Sequence, residues 1–117
     1  MNRNVFTVKD HLLGKDERFV DLVRACGPFE YVVGKDGIAF KGERHNFAVA
    51  KPKAHSLDGV LVLLRHLQDS RIRAVQIYTK RLFGNQFRVI QPDQLDEEFA
   101  SWIHEAYQVG QGKHLTD

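Results

Sequence analysis

The chain has 117 residues, of which 43% are hydrophobic and 27% are charged, with nine glycines and three prolines. This length suits one domain with a single core, and the composition excludes collagen-like, low-complexity and intrinsically disordered proteins. Seventeen Lys and Arg residues against fifteen Asp and Glu residues leave a formal net charge of +2, too small by itself to indicate a nucleic-acid or membrane partner.

Two short helices are predicted at the start of the chain. Thr7 and Asp10 have the spacing of a capping box, with aspartate in place of the usual glutamate, and open one or two helical turns over residues 8–13. Asp16 can cap a second helix, whose apolar residues recur at spacings of three and four. Gly27 ends this helix as a C-terminal cap. The apolar stripe consists of Phe19, Val20, Leu22, Val23 and Cys26.

From residue 29 the apolar spacing changes to about two, which indicates β-strands joined by tight turns. Asp36-Gly37 and Gly42-Glu43 supply two turns, and Pro52 closes the third strand. Residues 60–64 are apolar at every position, which predicts a central strand covered on both faces or flanked by helix. The first three strands carry, in order, Tyr31 to Val33, then Ile38 and Phe40, then Phe47 and Val49.

Two further strands alternate apolar and polar residues, the first from Val75 and the second from Phe87. Ile72 has the opposite parity to Val75, so regular pairing should begin only about two residues after Ile72. The turn between these strands could lie at residues 79–81 or at residues 84–85, because both segments contain suitable turn residues.

The last element is an amphipathic helix that ends near Gly110. Acidic residues 96–98 load its first turn, where they favour the positive end of the helix dipole. Its apolar stripe consists of Leu95, Phe99, Trp102, Ile103, Ala106 and Tyr107. We predict one domain over residues 7–110 and a flexible tail over residues 111–117. The predicted fold is α+β: a curved, mostly antiparallel sheet of five or six strands with two short N-terminal helices and one C-terminal amphipathic helix.

Membrane, secretory and disulfide-rich classes are not expected. Cys26 is the single cysteine, so no intramolecular disulfide and no thiolate-rich zinc site can form. The N-terminal residues lack the apolar run of about 7 to 15 residues found in a signal peptide. The longest apolar run, residues 60–64, is far shorter than the ~20 residues of a membrane span. We therefore predict a cytoplasmic protein with no membrane partner.

Charge is unevenly distributed along the chain. Residues 35–91 contain eleven basic and four acidic residues, a net charge of +7, whereas the rest of the chain has a net charge of −5. A basic sheet backed by acidic helices can attract phosphates or carboxylates to its uncovered side. The same cations could instead solubilise the strands and protect their edges.

Motifs for catalysis or cofactor binding are missing from the sequence. The six histidines include no pair at i,i+4 and no zinc motif, and the glycines do not form a phosphate-binding loop. None of the serines lies in a Gly-x-Ser-x-Gly elbow. Cys26 falls on an apolar stripe, where a buried thiol is inert. We predict no catalytic residue, no metal and no cofactor.

Short motifs nevertheless run in a distinctive order over roughly residues 7 to 110. They are Thr7-Val8-Lys9-Asp10-His11 with Gly14-Lys15, Cys26-Gly27-Pro28, Lys35-x-x-Ile38-x-Phe40, Phe47-Ala48, Ser70-Arg71-Ile72-Arg73-x-Val75, Phe87-Arg88-Val89, and Leu95-Asp96-Glu97-Glu98 with Trp102 and Glu105-Ala106-Tyr107. In this order they resemble the small bacterial family catalogued as domain of unknown function 5655.

The resemblance implies a short α+β protein without an assigned activity. It implies a turn at residues 79–81 followed by one bent strand over residues 82–90. Members often carry a histidine pair just before the last strand, and Asn85 and Gln86 stand there in this chain, which argues against a function that needs those imidazoles. The family's polar positions that this chain matches are Lys35, Arg71, Arg73 and Arg88.

The leading hypothesis is a non-enzymatic binding module for an anionic small molecule or an acidic segment of a partner protein. Tyr78 would supply a flat contact. The first alternative is single-stranded nucleic-acid binding through basic residues interleaved with aromatic ones. The second is an enzyme in which His66 carries a proton beside the arginines. A homodimer could also form through an unprotected sheet edge. The charge for binding would come from Lys35, Arg44, Arg71, Arg73 and Arg88.

Overall fold

The computed structural model describes residues 15–35 and 37–113. In chain order its elements are α1 (Lys15–Arg24), β1 (Glu30–Val33), β2 (Ile38–Lys41), β3 (Asn46–Pro52), β4 (Leu57–Leu63), β5 (Ile72–Ile77), β6 (Phe83–Val89) and α2 (Glu97–Gly110). A short 3-10 helix, Pro92–Gln94, lies between β6 and α2. The described strands form one six-stranded sheet in the order β1-β2-β3-β4-β6-β5, and every neighbouring pair is antiparallel.

α1 and α2 cover one face of the sheet. The predicted apolar stripe of α1 buries Phe19, Val20 and Val23, and the Phe19 ring lies 5.7 Å from that of Phe40 and 5.6 Å from that of Phe87. Because these two rings belong to β2 and β6, Phe19 links α1 to both halves of the sheet. Burial of each such side chain stabilises the fold by roughly 1.5–3 kcal/mol.

α2 begins where the sequence predicts an acidic first turn. The Asp96 carboxylate accepts a hydrogen bond from the Phe99 backbone N–H at 2.9 Å, which caps the helix. At the other end, the Gly110 carbonyl accepts hydrogen bonds from the backbone N–H groups of Arg44 and His45 at 2.8 and 3.1 Å. The β2–β3 loop thereby satisfies a C-terminal carbonyl of the helix.

β4 is the central strand predicted from its unbroken apolar run. It lies between β3 and β6, with Leu61 fully buried on the helix face and Val60 and Val62 only 9% and 7% exposed on the opposite face. The strand begins at Leu57, three residues earlier than predicted, because Asp58 and Gly59 also pair with β3 and β6. Val60 and Val62 form a small buried cluster with Val109 of α2, against which Val49 and Leu82 pack.

The α+β class and the antiparallel sheet are confirmed, with six strands. The prediction of two N-terminal helices is not confirmed: in the described part of the chain only α1 precedes the sheet, and the segment 8–13 lies outside the described residues. The turn between β5 and β6 spans residues 78–82, where the Tyr78 N–H donates to the Leu82 carbonyl at 2.9 Å. The alternative prediction, a turn at residues 84–85, is wrong, because both residues lie in β6 and pair with residues of β4 and β5.

The start of β5 also differs from prediction. The strand begins at Ile72, but its register shifts between Ile72 and Ala74. The expected irregularity is therefore present as a bulge inside the strand rather than as a late start.

Candidate functional site

The sheet face opposite the helices, called here the open face, contains a depression of about 460 Å³. Four strands form it, since every second residue of a strand reaches the same face. Val49 and Val60, which are paired residues of β3 and β4, contribute its apolar part. We call this depression the open-face groove. Its polar lining consists of Lys51, Lys53, Asp58, Arg73, Gln76, Tyr78, Gln86 and Arg88.

One ion pair crosses the groove between β4 and β6. Arg88 donates from Nε and Nη2 to the two carboxylate oxygens of Asp58 at 2.9 and 3.0 Å, and Ser56 donates to the same carboxylate at 3.0 Å. The two residues are direct partners in the β4–β6 ladder. The hydrogen bonds from Arg88, more than any other cause, lower the pKa of Asp58. The pair therefore holds the Arg88 guanidinium in one orientation.

Three further cations surround this pair. Lys51 is the β3 partner of Asp58, so lysine, aspartate and arginine stand in a row across three strands. Lys53 and Arg73 are exposed at the groove, and Lys53 also lowers the pKa of Asp58 through its charge. Within the described ranges, Lys51, Lys53 and Arg73 make no salt bridge. Among the described residues, the groove lining thus contains four basic side chains and one carboxylate, which is paired with Arg88 alone.

The end of the groove formed by β5 and β6 carries a phenol and two amides. The outer part of the Tyr78 ring lies against Gly84, where an added Cβ would be 2.6 Å from Cζ and from the hydroxyl oxygen. Gln76 is the β5 partner of Gly84, and Gln86 pairs with Ala74. Tyr78 is 46% exposed, so its ring is accessible beside the amides. This end can offer a planar contact and amide hydrogen bonds.

Of the residues predicted from sequence, Arg73, Tyr78 and Arg88 are brought together in the groove. Lys35 lies in the β1–β2 turn and Arg44 in the β2–β3 loop, both exposed and outside the groove lining. His66 follows β4, is exposed, and packs its ring against Phe83 with 4.5 Å between centroids. These three residues do not converge with the others.

Arg71 lies on the helix side of the sheet and is only 8% exposed. Its guanidinium donates to the carboxylates of Asp69, Asp96 and Glu98 at 2.8 to 3.0 Å and to a backbone carbonyl at 2.6 Å. The guanidinium carbon also stands 4.7 Å from the centroid of the Trp102 ring. Hydrogen bonds from Arg71 lower the pKa of Asp69 to about 2. The donors of Arg71 are therefore occupied in joining the β4–β5 loop to α2.

Five residues of the groove were not predicted from sequence as site residues: Lys51, Lys53, Asp58, Gln76 and Gln86. Val49 and Lys51 are two residues apart, so the alternation of faces along a strand could have placed both on the same face. The grouping with Asp58 and Arg88 depends on pairing between strands, which alternation within one strand does not reveal.

The described ranges contain no cluster of metal-binding side chains, and their one cysteine is not set up as a reactive thiol. Residues 15–35 and 37–113 contain no group of three or more His, Cys, Asp or Glu side chains arranged to hold a metal ion. The Cys26 thiol donates to the Leu22 carbonyl at 3.4 Å, and burial raises its pKa, which opposes thiolate formation. In the same ranges, neither helix has the length and apolar character to cross a membrane.

Comparison with known proteins gives one match. Residues 9–110 match the model of a family described as Domain of unknown function (DUF5655). No curated protein and no solved structure matches the chain. The match covers most of the chain, including every strand and the whole of α1 and α2.

Proposed function

This chain belongs to the DUF5655 family of unassigned activity, and on that premise we propose that it is a binding module that takes an anionic small molecule in the open-face groove. The observation that supports this most directly is the charge of the groove. Lys51, Lys53, Arg73 and Arg88 surround one depression, in which Asp58 is the single carboxylate contributed by the part of the chain that the structure describes. Cations that share a concave surface raise the local concentration of anions.

The ion pair between Arg88 and Asp58 adds rigidity to this site. A guanidinium already fixed by a carboxylate loses little conformational entropy when a ligand binds. The pair leaves Lys51, Lys53 and Arg73 as the cations whose charge a ligand would neutralise. A ligand with at least two negative charges, such as a phosphate ester or a polycarboxylate, fits this balance.

The size and the uncharged lining of the groove favour a small molecule over a protein segment. A volume of about 460 Å³ lies within the range of small-ligand pockets, roughly 300–1,000 Å³. The valine pair can contact an apolar or planar part of the ligand, and Gln76, Gln86 and Tyr78 can donate or accept hydrogen bonds beside it.

Thermal unfolding with and without inorganic pyrophosphate, AMP or citrate tests the proposal. A ligand that binds only the folded chain adds ~2.7 kcal/mol at 100 times its Kd, so at least one probe should raise Tm. Arg73→Gln and Lys51→Gln should each reduce the shift. Arg24→Gln, at an exposed cation of α1, is the matched control and should leave it unchanged. The proposal fails if no probe raises Tm, or if the groove variants respond like the control.

Single-stranded nucleic acid is the second candidate, favoured by the exposed ring of Tyr78 beside the cations. Such binding neutralises several backbone phosphates, so affinity should fall steeply as salt increases. Fluorescence anisotropy with a labelled dT oligonucleotide distinguishes the two. Nucleic-acid binding is supported if the oligonucleotide binds with an affinity that falls steeply with salt and if Tyr78→Ala abolishes that binding. The small-molecule proposal is supported if AMP binds and the oligonucleotide does not.

A further inference from the structure

The edge strand β1 exposes all four of its residues. Tyr31, Val32 and Val33 are 37%, 68% and 43% exposed, which places large apolar side chains on both faces of the strand. The strand pairs with β2 without any register shift. An edge that is regular, apolar and free of charge at its centre is a ready template for another strand.

The direction of its free backbone groups follows from the β1–β2 ladder. The Gly34 N–H donates to the Gly37 carbonyl at 2.7 Å, so Gly34 directs its backbone groups towards β2. In an antiparallel ladder such hydrogen-bonded positions alternate. Val32 therefore also bonds to β2, while Tyr31 and Val33 direct their N–H and C=O groups away from the sheet.

The outward direction of the Tyr31 and Val33 backbone groups restricts how a second strand can pair with β1. A new antiparallel strand must meet Tyr31 and Val33 with its own outward-directed groups. A second copy of β1 satisfies this when Tyr31 of one copy lies opposite Val33 of the other. Val32 then faces Val32 of the second copy as a non-hydrogen-bonded pair, in which side chains approach most closely.

Charge favours a second copy at this edge and not at β5. In the stated register Glu30 lies opposite Gly34 of the second copy and one residue from its Lys35, which begins the β1–β2 turn, so a residue of opposite charge lies near each Glu30. The other edge strand, β5, carries Arg73 and a register shift after Ile72. Two copies joined there would bring their basic grooves together, and the bulge interrupts pairing.

We propose that this chain forms a two-fold homodimer in which β1 pairs antiparallel with β1 of a second copy, centred on Val32. The two sheets become one continuous sheet, and a two-fold axis normal to it keeps both open-face grooves on the same side. The proposal does not depend on the ligand, because β1 lies outside the groove lining.

Disulfide trapping in a Cys26→Ala background tests the register. Cα atoms of a non-hydrogen-bonded pair are about 4.5 Å apart, within disulfide range, so Val32→Cys should link two copies efficiently on mild oxidation. Val33→Cys should not, because the two Val33 positions lie about 8 Å apart in this register. Ala74→Cys, exposed on β5, is the control for the other edge and should not form a covalent link between copies.

Light scattering after size exclusion checks the dimer without engineered cysteines. The unmodified chain should approach twice the monomer mass as concentration rises, and Val32→Lys should be monomeric with an unchanged circular dichroism spectrum. If the chain is a monomer at all concentrations, the proposal is wrong, even if the edge of β1 binds a different protein. Equal cross-linking by Val33→Cys or Ala74→Cys also overturns it.

Discussion

Arg71 and Arg73 are separated by one residue yet lie on opposite faces of the sheet. The Arg71 guanidinium stands over Trp102 on the helix side, whereas Arg73 lines the open-face groove. Arg71 lies in the turn before β5, which begins at Ile72, so the alternation of faces along the strand applies to Arg73 and not to Arg71. One short basic motif therefore supplies both a structural and a candidate binding arginine.

Replacement of the two arginines should have unequal effects on stability. Arg71→Met leaves the carboxylates of Asp69, Asp96 and Glu98 without their cation, and we expect the free energy of unfolding to fall by about 2 to 3 kcal/mol. Arg73→Met should change it by less than about 0.5 kcal/mol, as at other surface positions. Urea denaturation followed by circular dichroism measures both. Similar losses in the two variants would contradict the structural assignment of Arg71.

Acid should destabilise the protein through Asp69. The pKa of this carboxyl is lowered from 3.8 to about 2 in the folded chain, chiefly by hydrogen bonds from Arg71. A lowered folded-state pKa stabilises the fold above the unfolded value, and this contribution, roughly 2 kcal/mol, is lost as pH falls from about 4 to 2. Asp69→Asn should therefore be less stable at pH 7 and show a shallower loss over that window. A pH dependence identical to that of the unmodified chain would exclude Asp69 as its source.

The elements that could be predicted from sequence are those with strong local patterns. The stripe from Phe99 to Tyr107 predicts α2, because burial of one helical face requires that spacing whatever the partner. The run at residues 60–64 predicts a central strand for a similar reason. The start of this strand at Leu57 could not be predicted from its apolar run, because the run is preceded by Asp58. This aspartate is accommodated in the strand by its pairing with Arg88.

The residues of the open-face groove were harder to predict from sequence than the helices and strands. Arg71 and Arg73 look equivalent in the motif, and they are distinguished by the start of β5 between them and by the packing of Trp102 of α2 against Arg71. The row from Lys51 through Asp58 to Arg88 joins residues that are distant along the chain. Cross-strand register creates this row, and register follows from the whole set of pairings rather than from any one strand.

Asn85 should be a second residue on which stability depends. This fully buried amide accepts a hydrogen bond from the Leu67 N–H at 2.7 Å and donates to the Arg65 and Phe83 carbonyls at 3.0 and 3.2 Å. Asn85→Ala leaves these backbone groups without their partner, so we expect a loss of about 2 to 3 kcal/mol. Gln86→Ala, at the next residue but on the open face, is the matched control and should change stability little. Thermal denaturation measures the stability of both variants, and similar losses in Asn85→Ala and Gln86→Ala would contradict this expectation.

Gly84 should matter for the position of Tyr78 rather than for the backbone. A Cβ at Gly84 would meet the outer end of the Tyr78 ring, an exposed group that can move aside. We therefore expect Gly84→Ala to fold and to shift the NMR signals of the Tyr78 ring. Without the ring the obstruction is gone, and alanine in a strand is favoured over glycine by roughly 0.5–1 kcal/mol. Gly84→Ala should accordingly stabilise the Tyr78→Ala variant more than the unmodified chain, as a double-mutant cycle can measure. An equal effect in both backgrounds would show that Tyr78 does not lie against Gly84 in solution.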